Sequence, residues 1–245
     1  KNRVKFNSMN QLIIFTNEII SENTAVISGK RVSHLNEILK VYPGSKIKAG
    51  LFNGKKGVAE IEKLDGEKAI LKFNFDADPE PKIPLTVIIG LSRPKVMSRL
   101  ISDLTTSGVE KIEIIQTYFG DKGYWDNDIF TPSGLEECIV KGLEQSMDTV
   151  PPEISIVKRF GPYSNDVITQ YNQEYTACFL TFPNAEDHLR NIEKKNKNVI
   201  AIGPERGFTK YENSQFIKAG FIPVKLGNRI IRTEAAVHAA VAGFI

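Results

Sequence analysis

Apolar residues along this chain follow two different rhythms. From Met9 to Phe75 they come in short runs and alternations: Leu12–Phe15, Thr24–Ile27, Lys46–Phe52, Gly57–Glu62 and Lys68–Phe75. A two-residue period sends alternate side chains to one face of a strand. Pro43-Gly44, Asn53-Gly54 and Asp65-Gly66 separate the runs, and Asn-Gly and Asp-Gly suit the tight turn of a β-hairpin. Strands at such short spacing predict a small β-barrel over residues 9–75. One helical insert is expected at Ser33–Val41, with Leu35, Ile38 and Leu39 on a common face.

The stretch Asp76-Ala-Asp-Pro-Glu-Pro-Lys-Ile-Pro84 is polar and carries three prolines, so 76–84 reads as a linker. Beyond it the rhythm becomes strand–helix alternation. Strands are expected at Leu85–Leu91, Lys111–Gln116, Glu153–Val157, Thr176–Thr181, Asn198–Ile202 and Phe221–Leu226. Helices are expected at Lys95–Ser107, Ser133–Gln145, Ser164–Tyr171, Ala185–Lys195, Thr209–Ala219 and Thr233–Phe244. Repeated βαβ units build a mainly parallel sheet, so 85–245 is an α/β domain.

Composition narrows the class without naming it. The 245 residues, 41% hydrophobic and 25% charged, suit a globular protein with a substantial core. No apolar run is long enough to span a bilayer, so no membrane association is expected. Lys1, Arg3 and Lys5 precede no sustained apolar segment of a signal peptide. Cys138 and Cys178 are too few for a disulfide framework and lack metal-ligand spacing, which suits a reducing, cytoplasmic setting. His34, His188 and His238 are scattered, so no metal site is expected. Residues 1–82 carry 14 Lys/Arg against 10 Asp/Glu, whereas 83–245 carry 18 against 19. A basic first unit is compatible with a polyanionic partner, and equally with an ordinary solvated surface.

In an open α/β sheet, ligands gather beyond the carboxyl ends of the strands. Three such ends are candidates: Thr181-Phe-Pro183, Ile202-Gly-Pro-Glu-Arg-Gly-Phe208, and Leu226-Gly-Asn-Arg-Ile-Ile-Arg-Thr-Glu234. Gly203 and Gly207 allow backbone conformations closed to other residues and let a ligand approach the main chain. Thr209 and Glu212 form a T-x-x-E capping box. Thr233 is the expected N-cap of an alanine-rich last helix. Either loop alone reads better as a tight βα turn; two glycine-bearing loops so close in sequence favour a cofactor cradle.

These loops carry a resemblance. Gly203-Pro-Glu-Arg-Gly-Phe208 resembles a G-P-E-G-G-F signature, and Leu226-Gly-Asn-Arg-Ile-Ile-Arg-Thr-Glu-Ala235 resembles L-G-x-R-I-L-R-x-E-T/A. Both belong to the RsmE-type methyltransferases of the SPOUT superfamily, which methylate N3 of a uridine in small-subunit (16S) ribosomal RNA. Met9-Asn-Gln-Leu-Ile-Ile-Phe15, His34-Leu-Asn-Glu-Ile-Leu-Lys40, Ser92-Arg-Pro-Lys95 and Gly142-Leu-Glu-Gln-Ser-Met-Asp-Thr149 are similar to other segments of that family. The resemblance implies a PUA-like RNA-binding barrel before the linker and a SPOUT domain with a trefoil knot after it. It further implies a homodimer, S-adenosylmethionine as cofactor, and ribosomal RNA or the small ribosomal subunit as partner. Carried over by position, the cofactor cradle is Leu180, Thr181, Phe182, Gly203, Pro204, Glu205, Gly207, Leu226, Gly227, Ile230 and Ile231. Arg206 stands where the signature has a glycine; Asp103, Thr106 and Met147 also depart from the pattern.

Uridine N3 bears a proton at neutral pH, so its methylation needs a base or a cation that stabilises the imide anion. Arg232 is the candidate stabiliser, with Glu205 and Glu234 as candidate bases; an ion pair between Arg232 and Glu234 that merely holds the loop is the alternative. Phe182 and Phe208 are positioned either to stack the base or to pack in the core. Arg31, His34, Lys40, Arg93, Lys95, Arg206 and Arg229 are candidate RNA contacts. Two other functions compete with methyl transfer: a catalytically degenerate SPOUT-fold RNA-binding protein, and a nucleotide-dependent oxidoreductase. The second is disfavoured because Gly90-Leu-Ser-Arg-Pro lacks the G-x-G-x-x-G pattern after the first strand of the α/β domain.

Overall fold

A computed structural model describes residues 10–172 and 176–245. The chain forms two compact units: the residues up to Pro81 with Ile139–Pro151, and Lys82–Cys138 with Pro152–Ile245.

The first unit is a six-stranded sheet with a short helical insert. Its strands are β1 (Leu12–Ile14), β2 (Ile19–Ser21), β3 (Thr24–Ser28), β4 (Lys46–Leu51), β5 (Lys56–Leu64) and β6 (Lys68–Ala77), in the order β1-β4-β5-β6-β3-β2. All neighbours are antiparallel except β1 and β4, which run parallel with Leu12 beside Ala49. The two-residue period holds: Ala25 and Ile27, Ala59 and Ile61, and Ala69 and Leu71 are fully buried in one core. The Asp65-Gly66 turn is closed by the Asp65 carboxylate, which accepts from the amides of Glu67 and Lys68 at 2.8 and 2.7 Å. The helical insert begins earlier than its sequence pattern, as α1 (Lys30–His34), and continues as a π turn over Leu35–Leu39.

Strand β6 runs on to Ala77 and the next strand begins at Ile83, so only 78–82, with Pro79 and Pro81, separate the two strands, and Pro84 lies within the second. Residues 139–151 pack with the first unit, although the strand–helix pattern assigns them to the second. Hydrogen bonds from Gln11 and the turn after β4 hold this segment. Gln11 donates to the Asp148 carbonyl at 3.0 Å, the Asn53 amide donates to Thr149 O at 2.7 Å, and the Thr149 hydroxyl donates to the Gly54 carbonyl.

The second unit is built on a wholly parallel sheet. Its strands are β7 (Ile83–Gly90), β8 (Val109–Ile115), β9 (Glu153–Val157), β10 (Thr176–Thr181), β11 (Lys197–Ile202) and β12 (Ile222–Val224), in the order β12-β10-β11-β7-β8-β9. Central strands covered on both faces must be apolar almost throughout; Leu85, Val87, Ile88 and Ile89 are all fully buried. Helices α2 (Pro94–Thr106), α4 (Phe160–Asp166), α5 (Ile168–Tyr171), α6 (Lys210–Lys218) and α7 (Thr233–Val241) connect and flank the strands, and α3 (Pro132–Ser146) belongs to this unit only up to Cys138. Helix α2 buries Met97, Leu100, Ile101 and Leu104, a stripe at helical spacing, and opens with Pro94, whose missing N–H is not needed there. The buried Glu113 carboxylate accepts from the hydroxyls of Tyr163 and Tyr171 and pairs with Lys111 at 2.9 Å, tying α4 and α5 to β8.

One expected helix is missing. Ala185–Lys195 forms only a 3-10 turn at Leu189–Asn191. The segment is drawn out because its backbone pairs beyond the end of β12: Leu189 N–H donates to Lys225 O at 3.0 Å, and Lys225 N–H donates to Asp187 O at 2.9 Å. Those tertiary bonds replace the intrahelical ones, overriding the spacing of Ala185, Leu189 and Ile192. The Ser164–Tyr171 helix is likewise split into α4 and α5.

Candidate active site

Strands β12, β10 and β11 are neighbours, so the loops that follow Val224, Thr181 and Ile202 leave the sheet side by side. They enclose a crevice of about 340 Å³, within the roughly 300–1,000 Å³ of ligand pockets. Thr181 and Phe182 line it from the first loop. The second loop contributes Gly203, Pro204, Glu205, Arg206 and Gly207, and the third Leu226, Gly227, Arg229, Ile230 and Ile231. Ten of the eleven cradle residues read from the sequence therefore meet around one cavity. Leu180 is the exception: it is fully buried in the core behind the loops, because its position in β10 turns the side chain into the layer shared with Phe216 and Phe221.

The second loop folds back on itself. A Cβ at Gly203 would lie 2.8 Å from the Gly207 Cα, closer than real side chains come. Gly207 takes φ of 70°, the left-handed region that favours glycine, and its N–H closes a turn onto the Pro204 carbonyl at 2.8 Å. Arg206 is not among the positive-φ residues, so its departure from the signature costs no backbone strain. Its guanidinium carbon lies 4.2 Å from the centroid of the Phe119 ring, and the crevice remains open.

Helix α6 begins as its capping box predicts. Thr209 accepts from the Glu212 amide at 3.2 Å, and Glu212 Oε2 accepts from the Thr209 amide at 2.7 Å. The other oxygen, Oε1, accepts the Tyr118 amide at 2.7 Å. One buried carboxylate thus joins the loop after β8 to the loop after β11. Asn213, four residues beyond the cap, also lines the crevice; its spacing from Thr209 could have placed it there.

At the third loop the cap shifts by one residue. Arg232 occupies the N-cap position of α7 with no side-chain cap bond, and Thr233, the expected cap, is the buried first residue of the helix. Arg232 is exposed and Glu234 half-buried, and neither lines the crevice. No ion pair joins the two among the described residues. Glu205 is exposed at the crevice wall. Phe182 is 37% exposed at the mouth, whereas Phe208 lines the crevice and packs on Phe216 at 5.0 Å, the core contact among the two roles read for it.

The candidate RNA contacts divide. Lys40, Arg93, Lys95, Arg206 and Arg229 are exposed. Arg31 is engaged within the first unit: it pairs with Glu18, donates to the Ile13 carbonyl at 2.8 Å and lies over the Phe15 ring. The side chain of His34 and the start of the Met9 motif lie outside the described residues. Among the departures from the family pattern, Asp103 pairs with His238 at 3.0 Å, and Met147 takes φ of 58°. Among the described residues no group of three or more His, Cys, Asp or Glu is placed to hold a metal ion, and no helix is long and apolar enough to cross a membrane.

Residues 79–244, which carry this parallel sheet and its looped crevice, match the family described as the RNA methyltransferase domain. The ribosomal RNA small subunit methyltransferase E 1 of Borreliella burgdorferi is 34% identical over 95% of each chain. The ribosomal RNA small subunit methyltransferase E of Treponema pallidum is 29% identical over 94% of this chain and 89% of its own. Among solved structures, the Neisseria gonorrhoeae ribosomal RNA small subunit methyltransferase E bound to S-adenosyl methionine superposes with a TM-score of 0.76 at 25% identity, covering 96% of this chain and 95% of that one. The chain belongs to the ribosomal RNA small subunit methyltransferase E family.

Proposed function

We propose that this chain transfers a methyl group from S-adenosylmethionine to N3 of a uridine in small-subunit (16S) ribosomal RNA. The observation that carries the reading is the crevice itself, whose walls are the backbones of three neighbouring loops in a chain of this family. Its residues fit the cofactor. A Cβ at Gly227 would meet no atom within 4 Å, so the main chain there borders open space that a ligand can fill. Thr181, Phe182, Gly203, Pro204, Glu205, Gly207, Leu226, Gly227, Ile230 and Ile231 hold the cofactor, largely through backbone groups, with Leu180 supporting them from the core.

When bound, the sulfonium supplies both the methyl group and its own leaving group, so alignment and charge control are left to the protein. Arg232 stabilises the uridine imide anion, and Glu205 or Glu234 takes the N3 proton. Lys40, Arg93, Lys95 and Arg229 contact phosphate. The first unit is read as a PUA-like RNA-binding barrel; support comes from its six-stranded sheet and the surplus of Lys and Arg up to residue 82. The second is read as a SPOUT domain with a trefoil knot, supported by the convergence of the loops after β10, β11 and β12. A homodimer is supported by exposed apolar residues beside Arg232, with Ile230 at 89% exposure and Ile231 at 42%. The setting is the cytoplasm, where assembling ribosomal subunits are available.

The test is methyl transfer to small-subunit ribosomal RNA, read as 3-methyluridine by nucleoside mass spectrometry. Arg232→Ala is expected to abolish incorporation while calorimetry still detects S-adenosylmethionine. Unchanged turnover would remove Arg232 from the mechanism. A wild-type chain that binds RNA but no S-adenosylmethionine would replace this reading with the degenerate RNA-binding one.

A further inference from the structure

The loop after β8 carries two adjacent aromatic residues that the cofactor cradle does not use. Tyr118 is 80% exposed, and its ring meets that of Phe119 edge to face at 5.3 Å. The Arg206 guanidinium covers Phe119 at 4.2 Å and lines the crevice. An exposed tyrosine on a mobile loop would be an ordinary surface feature, but this loop is held at several points. Gln116 donates to the carbonyls of Thr117 and Gly120 at 2.8 and 2.7 Å, and accepts from the Trp125 indole at 2.6 Å. The Tyr118 amide is held by Glu212, the residue that also caps α6 beyond the Gly203–Phe208 loop. Beneath it, the Thr117 hydroxyl is buried with no hydrogen-bond partner among the described residues.

We propose that Tyr118, Phe119 and Arg206 form a stacking platform at the rim of the crevice for an unpaired nucleotide of the RNA substrate. The proposal deepens the methyltransferase reading and rests on it for the identity of the ligand as RNA. Aromatic rings offer π-faces on which any base stacks, and a base is free to do so only outside a duplex. The pairing with Phe119 holds the guanidinium over the ring, and its N–H donors can serve a phosphate oxygen. Arg206 thereby gains a task that the glycine of the related signature could not perform. Phe119 also sets where the guanidinium sits, so the two residues act as one positioning unit.

The experiment measures binding of a short fluorescent single-stranded RNA containing uridine to the full chain, across a salt series. Tyr118 is exposed, so Tyr118→Ser leaves the core untouched. It is expected to weaken RNA binding by about tenfold through the lost stacking surface, with an unchanged salt slope. Arg206→Gln is expected to weaken binding and to flatten the slope by about one phosphate contact. Affinity for S-adenosylmethionine, measured by calorimetry, stays at the wild-type value in Tyr118→Ser. Wild-type RNA affinity in both variants overturns the platform, as does a wild-type chain with no measurable RNA affinity. If both variants weaken RNA binding as stated while the wild-type chain transfers no methyl group, the platform stands and the catalytic reading falls.

Discussion

Removing the Glu212 carboxylate tests whether one buried side chain holds the loops after β8 and β11 together. Glu212 is 2% exposed and accepts three hydrogen bonds: from the Tyr118 amide at 2.7 Å, the Thr209 amide at 2.7 Å and the Thr209 hydroxyl at 2.9 Å. Glu212→Ala leaves both amides without an acceptor, while the hydroxyl can rotate towards another partner. A hydrogen bond to a charged group contributes about 1.5–3 kcal/mol, and an orphaned buried donor costs a similar amount. The expected loss is about 4 kcal/mol. At about 2–4 °C per kcal/mol for a chain of this size, the melting temperature should fall by roughly 8–16 °C. Glu212→Gln keeps one acceptor oxygen and should fall between the two. Differential scanning calorimetry at fixed protein concentration reads the global effect. Hydrogen exchange reads the local one: the Tyr118 amide should lose protection in Glu212→Ala. A fall of less than about 2 °C would refute the energetic argument, and unaltered exchange at Tyr118 would confine the role of Glu212 to capping α6.

Two further outcomes follow from the geometry. Gly203→Ala is expected to push the 204–208 turn outward, since the added Cβ meets the backbone of Gly207 at 2.8 Å. Calorimetry should then show at least about a tenfold loss of cofactor affinity, equivalent to about 1.4 kcal/mol; wild-type affinity would show that the turn does not shape the crevice. Burial raises the Glu144 carboxyl from 4.5 to about 7, against the opposing pull of the Ile13 amide and Arg31. Because the folded chain holds this proton more tightly than the unfolded one, the stability it contributes is complete below about pH 4.5 and is lost as pH rises through about 7. Urea titrations should show a decline on the order of 3 kcal/mol across that window, absent in Glu144→Gln. The same decline in both proteins would assign it to other groups.

Much of this molecule is written in short-range patterns. Alternating apolar residues specify β3, β5 and β6 because the pleat has a period of two, and burial on one face selects the register. The stripe Met97, Leu100, Ile101 and Leu104 specifies α2 for the equivalent reason at a period of 3.6. Thr209 and Glu212 announce the start of α6 because both halves of the capping box lie within one turn. The two glycine-bearing loops were legible as lining one crevice because each is a continuous stretch of chain at a strand end.

What the pattern could not supply are relations between segments far apart along the chain. The spacing of Ala185, Leu189 and Ile192 is helical, yet the backbone beyond β12 offers that segment better partners, and it stays extended. Leu180 and Thr181 are neighbours in sequence, but the pleat sends one into the core and leaves the other at the crevice. Arg31 looked like any surface cation until Glu18 and the Ile13 carbonyl closed around it. The contact between Arg206 and Phe119 depends on the lateral order of the strands, which sets which loops meet. Local sequence fixes the conformation available to each loop through sterics and hydrogen bonding nearby; only the packed sheet chooses its neighbours, because that choice is made by burial summed over the whole unit.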